Sequence, residues 1–136
     1  MCIFKKNKTS ATIKSRMEEE AKQKFNKMWD LWAEGKIPSP YADLMTYQSE
    51  VNNGGHDQFF LNVESTGHLR AVMAELRRIL PLDIRMPLVE AYNARKVNGK
   101  DAEETQTFYE HADDVFFKKE ELINKILEKY SKKIAL

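Results

Sequence analysis

Apolar side chains return every three or four residues along most of this chain, a period that suits helices and little else. Met17, Ala21, Phe25, Met28, Trp29 and Trp32 form the first such stripe and predict a helix from Met17 to Ala33, stopped at Gly35. Pro38-Ser39-Pro40 separates it from a second helix, with Ser39 as expected N-cap and Pro40 at the first helical position. Tyr41, Leu44, Met45, Gln48 and Val51 make that helix's inner face, and Asn53-Gly54-Gly55 ends it. A short third helix starts near Asp57. A fourth covers His68 to Leu80, a fifth about Met86 to Val97 with Pro87 in its first turn, and a last one about Val115 to Lys132. No segment alternates long enough, beside a hairpin partner, to be a strand. The expected fold is an all-α, compact single-domain bundle of about six helices.

At 136 residues the chain suits one domain that needs neither disulfide nor metal to stand. Cys2 is the only cysteine, which fits a reducing cytoplasm and precludes an internal disulfide. No apolar run approaches the roughly 20 residues of a membrane span. The net charge of +1 is unevenly placed. Residues 1–16 carry five bases and no acid, so residues 17–136 sum to −4. Residues 1–15 read as a flexible basic leader and 16–136 as the helical domain. The leader's Ile3 and Phe4 beside lysines suggest one minor role, a weakly membrane-associated adaptor.

Familiar reaction chemistry finds little support. His56, His68 and His111 are far apart and show no ligand spacing, so surface histidines near charged loops are the expectation, with no metal and no cofactor. Cys2 has no base held against it, and no Gly-x-Ser-x-Gly elbow exists. Asn53-Gly54-Gly55-His56 precedes a helix but lacks the lysine of a phosphate loop. A net acidic body without a helix-turn-helix pattern argues against direct nucleic-acid binding. Residues 100–114 read as a polar, acid-rich connection, part of which, Glu103 to Ala112, is open to helix, and no Lys or Arg lies between Lys100 and Lys118: Asp101, Glu103, Glu104, Glu110, Asp113 and Asp114 are its candidate partner-binding acids.

The least ordinary stretch runs from Glu50 to Asn62. Gly54 and Gly55 permit a tight reversal, Asp57 can cap the helix that follows, and Phe59 and Phe60 drive that helix into the core. Gln58 and Asn62 share a helix face, and their amides suit the bare backbone groups of a sharp turn. The segment therefore reads as a structural polar lock. An enzyme of unknown reaction built on Glu50, Asn53, His56, Asp57 and Gln58 is the alternative.

Glu50, Asn53, Gly54, Gly55, Gln58, Phe59, Phe60 and Asn62 together resemble the signature of a bacterial family of unknown function that includes a DNA mimic, the DNA-mimic protein nineteen-like family. The resemblance implies an all-helical domain over about Phe25 to Tyr130 that binds protein rather than catalysing a reaction. It also implies a homodimer, with carboxylates set out like DNA phosphates against a DNA-binding protein. The near-neutral charge argues against such mimicry here, because a duplex carries a charge about every 1.7 Å. The reading is a cytoplasmic protein-interaction module.

Overall fold

The structure is a computed structural model that describes the backbone of residues 2–136 and the side chains from Ser10 onward. Five helices follow one another: α1 (Cys2–Ala33), α2 (Tyr41–Ser65), α3 (Leu69–Ile79), α4 (Leu82–Asn98) and α5 (Glu103–Ser131). No strand occurs among the described residues, so the fold is all-α. Helices number five rather than six because α2 carries two predicted helices across a kink. The acid-rich connection is also the first part of α5.

Three boundaries differ from expectation. α1 begins at Cys2, ahead of the Met17 start its stripe predicts, since no Gly or Pro interrupts the chain before Gly35. Its residues from Ser10 to Gln23 are exposed. The leader's apolar start and its lysines at 5, 6 and 8 lie outside the residues whose side chains are described. α2 begins at Tyr41 with Pro40, not Ser39, as its N-cap. α4 begins at Leu82, so Pro87 lies inside the helix, where its missing N–H leaves the Asp83 carbonyl without a helical bond.

The chain forms two compact units: residues up to Ile37 with Leu127–Leu136, and Pro38–Ile126. In the first, the Lys24 ammonium donates to the Lys132 carbonyl at 3.2 Å, and Trp29 meets Trp32 edge to face. The second holds ten Lys and Arg against fifteen Asp and Glu, a net of −5. Its core is aromatic. Tyr47 packs edge-on against Phe59 and Phe116, with ring centres 5.0 and 5.5 Å away. Phe60 stacks on Tyr109 at 5.3 Å and Tyr92 at 6.1 Å. Leu44, Met45, Val51, Leu76, Leu88 and Ile123 fill the remaining space and are fully buried. Each such side chain contributes about 1.5–3 kcal/mol. This packing brings the α2 kink against α5.

Candidate functional site

The α2 helix breaks at two residues. Gly54 sits at φ −159°, ψ 21°, and Gly55 at φ 74°, ψ −174°. Gly55 thus occupies a region that essentially only glycine adopts. Gly54 is required by space instead. A β-carbon there would stand 2.1 Å from Gln58 Oε1 and 2.8 Å from Gln58 Cβ, so rotating Gln58 away would not clear it.

Carboxylates from two helices then fix the break. Glu50 Oε2 accepts from Gln58 Nε2 at 2.9 Å and from Asn62 Nδ2 at 2.8 Å, joining the helix before the kink to the helix after it. The amides therefore serve a carboxylate rather than the bare backbone expected from sequence. The N–H left without a helical acceptor at the new helix start is met from α5: Asp113 Oδ1 accepts from the His56 backbone N–H at 2.8 Å. Asp113 thus takes the position that sequence reasoning gave to Asp57, which lies exposed. A negative group at a helix N-terminus also suits the helix dipole.

His56 is wholly buried, correcting the expectation of a surface histidine. Its Nδ1 lies 2.6 Å from Asp113 Oδ1 and its Nε2 lies 2.6 Å from the Tyr47 hydroxyl. One assignment satisfies every group: Nδ1–H donates to the carboxylate, and the Tyr47 O–H donates to Nε2. Burial, and after it the nearby Asp113 charge, pushes the Tyr47 phenol well above its usual range, so it keeps its proton. The chain Asp113–His56–Tyr47 orients an imidazole as a catalytic base is oriented. It ends, however, on a phenol with no exposure at all. A second polar seam runs alongside, where Gln48 Nε2 donates to Glu120 and Asn124 and Asn52 Nδ2 donates to Glu120.

Of the residues that carry the resemblance, Glu50, Gln58 and Asn62 come together, Gly54 and Gly55 form the break, and Phe59 and Phe60 enter the core. Asn53 is exposed. The five residues of the enzymatic alternative do not assemble, because the His56 ring faces Tyr47 and Asp113 rather than Glu50 and Gln58. Among the described residues, no three His, Cys, Asp or Glu side chains are grouped to hold a metal ion.

The acids of the connection divide in two. Asp101, Glu103, Glu104, Glu110 and Asp114 are exposed, and none pairs with a Lys or Arg among the described residues. Asp113 turns to His56. Sequence reasoning missed Tyr47, Glu120 and Asn124 as network members. Tyr47 had a readable signal, since Leu44, Tyr47, Gln48 and Val51 repeat at helical spacing. Glu120 and Asn124 had none, lying 72 and 76 residues from Gln48.

These features define a class of all-helical domain in which a core helix is broken at Asn-Gly-Gly and relocked by carboxylates on either side. The chain belongs to the DMP19-like protein family, whose model matches residues 40–134, more than two-thirds of its length. The match begins where α2 begins and leaves α1 outside. No curated protein and no solved structure matches the chain. The family is not known as one of enzymes. No helix among the described residues is long and apolar enough to cross a membrane.

Proposed function

We propose that this chain is a protein-interaction module that engages a basic partner, such as a DNA-binding regulator, through the exposed carboxylates at the start of α5. One observation carries the reading: Asp101, Glu103, Glu104, Glu110 and Asp114 stand in solvent unneutralised, on a unit of net charge −5. Clefts or faces of one sign steer oppositely charged partners and raise their association rate. The buried polar network argues against catalysis, because each ring nitrogen of His56 already has a partner and Tyr47 has no route to a substrate.

Full mimicry of a duplex is not part of the proposal. From Glu103 to Asp114 the helix rises about 17 Å, a length over which a duplex carries about ten phosphates. Glu103, Glu104, Glu110 and Asp114 supply four exposed carboxylates there. That density suits an ordinary basic protein patch.

The test is affinity capture from lysate with the full chain and with a variant carrying Asp101→Asn, Glu103→Gln, Glu104→Gln, Glu110→Gln and Asp114→Asn. Asp113 is left intact because it holds the fold. The native chain should retain a basic partner that the neutralised chain loses, with retention falling as salt rises. Equal recovery by both forms, or no partner for either, would overturn the reading.

A further inference from the structure

We propose that the groove between α3 and α4 is a second docking site, and that its occupant is a protein segment carrying carboxylates around an apolar side chain. The groove encloses about 360 Å³ and is lined by Arg77, Arg85, Met86, Val89 and Glu90. Its surface is mainly carbon, and Met86 within it and Leu82 on the same helix are more than half exposed. Exposed apolar side chains gathered at a concavity mark binding surfaces more often than scattered ones do.

Charge complementarity names the occupant. The chain from Ser65 to Pro81 carries Arg70, Arg77 and Arg78 against one acid, Glu75, which pairs with Arg78. Arg70, Ala71, Ala74, Arg77 and Arg78 are the exposed residues of α3, so arginines alternate with side chains small enough to admit a neighbouring backbone. No carboxylate pairs with Arg70, Arg77 or Arg85 among the described residues. Two of these cations are already placed. Arg85 Nη1 donates to the Arg77 carbonyl at 2.9 Å, leaving its other N–H groups for a ligand, and the Arg77 guanidinium lies 6.0 Å from the Tyr92 ring centre. Such prior placement lowers the ordering cost of binding. The same details disfavour nucleic acid, because Met86 and Val89 offer nothing to a phosphate and suit an apolar side chain instead. A helix or extended segment with one or two apolar residues flanked by Asp or Glu fits all three features.

The probe is a fluorescein-labelled helical peptide with two leucines four residues apart and glutamates around them. Its controls are the same peptide with Gln for Glu, the same peptide with Ser for Leu, and a labelled DNA duplex. Fluorescence anisotropy with the full chain should show binding by the Glu/Leu peptide and about tenfold weaker binding by either peptide control. Arg77→Glu and Met86→Ser, both at exposed positions and checked for retained helical circular dichroism, should each weaken the Glu/Leu peptide by about tenfold. Neutralising the α5 acids should leave it bound, which separates this site from the acidic face. No binding, binding indifferent to both substitutions, or tighter binding of the duplex would each overturn the proposal.

Discussion

Replacing Gly55 with alanine tests the account of the kink most directly, because two independent costs meet at one atom. Gly55 holds φ 74°, ψ −174°, a conformation that costs a residue with a β-carbon about 1–3 kcal/mol. The new β-carbon would also lie 2.8 Å from Asp113 Oδ2 and 3.2 Å from its Cγ. Asp113 must then retreat, and its bonds to the His56 backbone and ring lengthen or break. Hydrogen bonds to a charged group contribute about 1.5–3 kcal/mol. The sum is about 2.5–6 kcal/mol, a large part of the 5–15 kcal/mol typical of a domain. Urea unfolding followed by circular dichroism should show a midpoint lower by about 1 M or more for Gly55→Ala. The double-mutant cycle with Asp113→Ala separates the two costs. With the carboxylate gone, Gly55→Ala should cost only the backbone part, giving a coupling of about 1.5 kcal/mol or more. A Gly55→Ala protein within about 0.5 kcal/mol of the native one, or strict additivity with Asp113→Ala, would refute this explanation of the junction.

Two further outcomes follow from the same interior. Tyr47→Phe removes the hydroxyl that donates to His56 Nε2 and strands a buried acceptor, so stability should fall by about 1–3 kcal/mol with helix content unchanged; thermal melts check it. Asp43 has a buried carboxylate oxygen without a hydrogen-bond partner, and burial first of all raises its pKa above 3.8. A raised carboxylate lends stability that is present below 3.8 and lost as pH rises through its folded-state value. Asp43→Asn should therefore melt higher than the native chain at pH 7 and lose that advantage near pH 3.5, and a lower melting temperature at pH 7 would contradict the assignment.

The parts legible in the sequence were those fixed by neighbours along it. The stripe of α3 from Leu69 to Leu80 gave that helix within a residue, and Gly54-Gly55 gave the break in α2. Glu50 with Gln58 and Asn62 was readable as a lock because all three lie within thirteen residues. The losses were non-local. His56 looked like a surface residue because its flanks, Gly55 and Asp57, are a turn-former and an acid, while its burial is set by Tyr47, Phe60, Asp113 and Phe116. The polar run around Asp101 to Asp114 read as a connection with a helix open only over Glu103 to Ala112, and its joining to the last helix was not legible because its acids hide a buried stripe of Thr105, Tyr109 and Ala112. Asp113 cannot be told from Asp114 by composition. Only the turn of α5 decides which one enters the interior.

The reach of Asp113 also sets an order of events in the making of the chain. His56 and the carboxylate that holds it are separated by 57 residues. A chain emerging at 5–20 residues per second presents both glycines several seconds before it presents the group that sets their angle. Until then His56 lacks both the carboxylate that holds it and the Phe116 ring that helps to bury it. The Asn53-Gly54-Gly55 junction is thus a half-sentence during synthesis, completed only when α5 arrives.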